Sequence, residues 1–138
     1  MTIEIRHAGP DDAALFARVD EDVFDGPIVP ERLAAYLADP GHLMVLALAD
    51  GEVIGQAAGV IHRHPDLPTE LYIDNLGVAP RFLRRGIATR LLERLFELGR
   101  ERGCKEAWVG TELDNDPANG LYGRYAAQGR FAFYLWDI

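Results

Sequence analysis

Residues 70–103 read ELYIDNLGVAPRFLRRGIATRLLERLFELGRERG, and this stretch decides the fold. Glu70 to Val78 has the β-branched and aromatic content of a strand, and Pro80 ends it. From Gly86 the apolar positions Ile87, Leu91, Leu92, Leu95 and Leu98 recur at helical spacing until Arg102-Gly103 closes the segment. Arg84-Arg85-Gly86-Ile87-Ala88-Thr89 therefore lies on the turn that opens a long helix. Free N–H groups of a first helical turn point outward, the helix dipole adds positive charge there, and Gly86 and Ala88 let a ligand approach the backbone closely. That is a recipe for holding a polyphosphate. Neither G-x-x-x-x-G-K-[ST] nor G-x-G-x-x-G occurs, so the nucleotide classes carried by those motifs are excluded and another phosphate-bearing cofactor is implied.

Outward from this segment, Asp50-Gly51 joins two strand-like runs, His42 to Ala49 and Glu52 to His62, in a tight hairpin. With Glu70 to Val78 they form a three-stranded antiparallel meander. Thr2 to His7 alternates like a strand, Asp11-Asp12 starts a helix over Ala13 to Asp20, and Pro30-Glu31 starts another that Asp39-Pro40-Gly41 stops. Glu106 to Thr111 reads as a strand, Asp116-Pro117 opens a helix to Tyr125, and Gly129 to Ile138 reads as a final aromatic strand. The expected fold is a single α/β domain spanning residues 1–138, with a mixed, mostly antiparallel central sheet flanked by about four helices. Trp108, Phe131, Phe133 and Trp136 are expected in the core, with a homodimer contact as their alternative use.

Composition narrows the function. The 138 residues carry 22 acids against 14 Lys and Arg, a formal charge of −8, which argues against nucleic-acid binding. That charge sits in the first half, where residues 1–69 hold 12 acids and 4 bases. Arg81, Arg84, Arg85, Arg90 and Arg94 nevertheless crowd together at the helix start, where the dipole disfavours cations unless an anion is bound. The acidic run Asp20-Glu21-Asp22 with Asp25 is either a solvated turn or a lure for a cationic partner. Serine is absent, which removes every serine-nucleophile mechanism. One cysteine, Cys104, excludes an intrachain disulfide, and with no basic-then-apolar leader and no bilayer-length apolar run the expected setting is cytoplasmic. His62 and His64 form an H-x-H pair without a third ligand at sensible spacing, so no metal is expected.

Leu83-Arg84-Arg85-Gly86-Ile87-Ala88 resembles the (Q/R)-x-x-G-x-(G/A) turn of the GCN5-related N-acetyltransferases, which carry the acetyl-CoA diphosphate on it. Leu83 stands where that family has Arg or Gln, with Arg81 or Arg84 as substitutes. Asn115, Ala118, Leu121 and Tyr122 match the family's N-x-x-A-x-x-L-Y. Leu71-Tyr72-Ile73, Arg84 to Thr89, Asp116-Pro117-Ala118 and Trp136-Asp137-Ile138 look most like the aminoglycoside 3-N-acetyltransferase branch, although Asn75 stands where that branch has Asp and Ala126 where it has Gly.

The resemblance implies acetyl transfer from acetyl-CoA to an amine without a covalent enzyme intermediate. Implied cofactor contacts are Leu76, Val78, Arg84, Arg85, Gly86, Ile87, Ala88, Thr89, Asn115 and Tyr122, with a backbone N–H near Leu76 to Val78 holding the thioester oxygen. A lysine-like amine, pKa about 10.4, is neutral in only about one molecule in a thousand at pH 7, so a carboxylate must take its proton. Glu70, Tyr72 and Asp74 alternate along one strand face. Asp74 is the first choice of base, then Glu70, then Glu112, and Gly77 is compatible with a strand-splaying bulge. Tyr122 is the candidate acid for the departing thiolate. A small polycation such as an aminoglycoside or polyamine is the expected acceptor. The alternatives are a protein Lys or N-terminal amine, or a non-catalytic acyl-CoA-binding sensor.

Overall fold

Asp50 and Gly51 both take positive φ, 50° and 76°, which is the backbone of a two-residue hairpin turn whose twist matches its strands. It joins β2 (His42–Ala49) to β3 (Glu52–His62). The structure, a computed structural model, describes residues 2–125 and 129–138. They divide into two compact units, Met1–Trp108 and Val109–Ile138. The sheet runs in the order β1-β2-β3-β4-β5, with β1 (Ile3–His7), β4 (Glu70–Val78) and β5 (Glu106–Val109), and the first four strands pair antiparallel in succession. The helices are α1 (Pro30–Ala38), α2 (Ile87–Glu101) and α3 (Asp116–Tyr122), joined by 3-10 turns at Ala13–Ala17 and Pro80–Phe82. The fold is mixed α/β, as the sequence predicts.

β2 and the middle of β3 are buried continuously, because the sheet is covered on both faces. On one face α2 lays Leu91 and Leu95 against Gly55 and Gly59, with Leu71 of β4 reaching Gly59 and Gly99. Both leucines are 0% exposed, and each such burial contributes about 1.5–3 kcal/mol. The other face, carrying Met44, Gln56 and Ala58, looks toward the segment 16–36.

Three expectations change. The helix expected over 13–20 is a short 3-10 turn: the Asp12 carboxylate accepts from the Gly9 N–H at 2.7 Å and Arg6 at 2.8 Å, and offers the turn no cap. Arg18 and Asp20 then bond the Val53 backbone, which draws the chain into an extended bridge. The strand expected over 129–138 is absent; those residues have no ladder partner among the described residues, and Phe131, Phe133 and Trp136 are exposed rather than core. Trp108 is also exposed at its outer side, and stacks on Tyr72 with ring centroids 4.2 Å apart. Ala126 lies outside the described residues.

Candidate functional site

Gly86 is the N-cap of α2 at φ 73°, a left-handed conformation that costs any L side chain about 1–2 kcal/mol. It supplies no side-chain cap, and the first intrahelical bond at this end runs from the Arg90 N–H to the Gly86 carbonyl at 3.2 Å. The N–H groups of Ile87, Ala88 and Thr89 are therefore the uncapped donors of the first turn. A Cβ built at Gly86 would meet nothing within 4 Å, so the space before the turn is open. A diphosphate fits there: donors, dipole and room coincide. Ile87 is buried and offers only its backbone, while Ala88 and Thr89 are half-buried.

The arginines divide. Arg81 donates to Asp20 at 2.6 Å and Glu52 at 2.5 Å, an ion-pair clamp that leaves it unable to replace the side chain missing at Leu83. The Asp20 carboxyl is held below the usual range by that hydrogen bond. Arg90 bonds the Ile3 carbonyl and Arg94 pairs with Glu97, so both serve the helix surface. The Arg85 guanidinium lies 5.0 Å from the Phe82 ring centroid. Arg84, at φ 63°, is exposed and has no side-chain partner among the described residues. Of the expected cluster, Arg84 and Arg85 are the cations left at the cradle.

The bulge in β4 falls at Asp74. Asn75 pairs with Ala58 and Ile73 with Gly59, so Asp74 is the extra residue between them. Gly77, expected to mark it, serves packing instead. Any Cβ there would collide with the Val23 carbonyl oxygen, so Gly77 makes room for the neighbouring loop. Leu76 and Val78 are half-buried, opposite Ala57 and Gly55. β5 is four residues long and starts beside the beginning of β4, where the Lys105 N–H donates to the Thr69 carbonyl at 2.8 Å, so the Leu76–Val78 end outruns it.

Asp74 borders a groove of about 380 Å³ with Asp25, Tyr36, Phe24, Gln56 and Asn75 in its lining. The Tyr36 hydroxyl donates to the Leu43 carbonyl at 2.8 Å, and burial followed by the Asp74 charge holds its pKa above the ordinary phenol range. Gln56 is 0% exposed; its Nε2 donates to the Val23 carbonyl at 3.1 Å and its Oε1 has no partner. Tyr36 and Gln56 escaped sequence reasoning, although a lone Gln inside the apolar run of β3 is a usable signal. Glu70 is elsewhere: four strand residues, roughly 13 Å, separate it from Asp74, and its Oε1 lies 3.2 Å from His64 Nε2. One amine cannot be served by both carboxylates.

In the second unit, Asn115 caps α3, its Oδ1 accepting from the Ala118 N–H at 3.2 Å. Asn119 ties the preceding turn to the helix through the Glu112, Leu113 and Asn115 carbonyls. Asn115 and Ala118 of the sequence motif are thus a cap and the residue it caps. Tyr122 is half-buried, and desolvation raises its pKa, so its hydroxyl keeps its proton at neutral pH. Glu112 is exposed.

The site thus combines an open helix mouth, two arginines beside it and a fourth strand bulged at a carboxylate. The Acetyltransferase (GNAT) family model matches residues 12–126, and the chain belongs to that family; its activity is acetyl-CoA-dependent N-acetyl transfer. It is similar in structure to an aminoglycoside acetyltransferase from an uncultured soil metagenomic sample, with 26% identity, TM-score 0.82, and coverage of 100% of this chain and 99% of that one. The aminoglycoside N-acetyltransferase AAC(6')-Iy, in complex with a CoA bisubstrate analogue, shares the fold at 22% identity and TM-score 0.79 over 100% of both chains. So does the ribosomal-protein-alanine N-acetyltransferase of Brucella melitensis biovar Abortus 2308, at 18% identity and TM-score 0.76 over 99% of each chain. Among the described residues no helix is long and apolar enough to cross a membrane.

Proposed function

We propose that the chain works as one N-acetyltransferase domain whose acceptor is a primary amine of a small polycation, an aminoglycoside or a polyamine. The observation that carries this is the groove: about 380 Å³, lined by Asp74 and Asp25 together with Arg32, on a chain of net charge −8. Such a cleft concentrates a cationic acceptor and accepts its amine proton. The soil aminoglycoside acetyltransferase supports the reading.

Acetyl-CoA supplies an activated acetyl thioester when bound. Arg84, Arg85 and the N–H groups of Gly86 to Thr89 hold its diphosphate, and the backbone at Leu76 to Val78 orients the thioester oxygen. Asp74, directly or through one water, takes the proton of the attacking amine. Tyr122 returns a proton to the leaving thiolate, the role for which a protonated, desolvated phenol is suited.

The test is free-thiol release from acetyl-CoA with purified protein and a panel of aminoglycosides, polyamines, lysine peptides and N-terminal peptides. The expected result is saturable turnover with the small polycations, with Asp25→Asn raising KM for them several-fold and Asp74→Asn lowering kcat. Preference for peptides would replace the acceptor with a protein amine. No turnover above hydrolysis with any aminoglycoside or polyamine would overturn the proposed acceptor class.

A further inference from the structure

His62, His64 and Glu70 stand outside the groove and the cradle, yet the sheet brings them together. The antiparallel register pairs His62 of β3 directly with Glu70 of β4, a neighbour relation that linear spacing hides. The connection then folds back so that the His62 and His64 rings lie 4.4 Å apart between centroids. One ligand-type atom from each of the three residues falls within 4.8 Å of the others. The absence of a third ligand, argued from linear spacing, is thereby corrected.

His64 Nε2 supplies the second, independent observation. It is buried and has no hydrogen-bond partner, although it lies 3.2 Å from Glu70 Oε1. The two atoms lie at ion-pair distance without the alignment of a hydrogen bond, a separation that two ligands of one metal ion also keep. In a tetrahedral zinc site with bonds of about 2.0–2.2 Å, ligand atoms stand roughly 3.3 Å apart, so this pair is already at coordinating separation. His62 is exposed, and a turn of its ring is the one adjustment the site requires.

We propose that His62, His64 and Glu70 form a divalent transition-metal site at the loop end of the β3–β4 hairpin, suited to Zn2+. Two imidazoles with one carboxylate select zinc and its neighbours over Mg2+ and Ca2+, and three protein ligands leave a fourth position for water. The ion clamps the 63–69 connection.

Full-length protein, stripped with a chelator and desalted, is titrated with ZnCl2 by calorimetry, and with CoCl2 by visible absorption. The expected result is one Zn2+ per chain with micromolar or tighter affinity, and the intense visible bands of four-coordinate Co2+. His62→Ala and His64→Ala each weaken binding at least about tenfold, and Glu70→Gln weakens it less. Zinc raises the melting temperature of the parent chain by several degrees and that of His62→Ala by clearly less at the same zinc concentration. His42→Ala, at a histidine 3.8 Å from Asp39, leaves the affinity unchanged. Because His62 is exposed, its variant is expected to keep the parent circular dichroism. Absence of binding at 100-fold the protein concentration, or binding that survives the His62→Ala/His64→Ala double substitution, would overturn the site.

Discussion

The proposed placement of the diphosphate rests on Gly86, and two substitutions there separate backbone from charge. At φ 73° both Gly86→Ala and Gly86→Glu impose the left-handed penalty of about 1–2 kcal/mol, and neither clashes, because the space around a Cβ is open. The two variants should therefore melt at similar temperatures, both roughly 3–10 °C below the parent. They differ toward CoA. A carboxylate roughly 6 Å from the nearer phosphate charge, at an effective dielectric constant between about 20 and 80, costs on the order of 0.7–3 kcal/mol for that one pair. Gly86→Glu should thus bind CoA roughly 3- to 100-fold more weakly than Gly86→Ala, and added salt should narrow that gap. Calorimetric titration of CoA into both proteins at two ionic strengths reads the difference. Equal affinities at low salt would mean that no anion sits at the mouth of α2.

Tyr122→Phe should lower kcat about 100-fold with CoA affinity unchanged. An acid works while protonated and desolvation raises this pKa, so the parent's alkaline loss of kcat should begin above pH about 10 and vanish in the variant; the pH–rate profile checks both. Arg84→Ala should weaken CoA binding and Arg81→Ala should not, because Arg81 is committed to Asp20 and Glu52; matched calorimetry decides. Gly77→Ala should destabilise the fold by about 1–3 kcal/mol, since its Cβ forces the Val23 backbone aside; an unchanged urea midpoint would contradict that packing.

Local chemistry made much of this molecule legible in advance. Two positive-φ residues at Asp50-Gly51 specify a hairpin, Gly86 ahead of a leucine-striped run specifies a helix start, and Asp116-Pro117 specifies another; each needs only its chain neighbours. What depends on a partner distant in the chain was not readable. The helix expected after Asp12 yielded to Val53, Gly77 answers to Val23, and Arg81 was claimed by Asp20 and Glu52. The tail over 129–138 has the alternation of a strand and no ladder partner among the described residues, because alternation records a preference and pairing needs a neighbour. Strand parity singles out Asp74, but its position on a bulge beside a groove is a property of the β3–β4 register, as is the meeting of Glu70 with His62. Short-range geometry follows from dihedral preferences written residue by residue; the groove beside Asp74 and the histidine cluster arise only when pairing brings remote side chains within bonding reach.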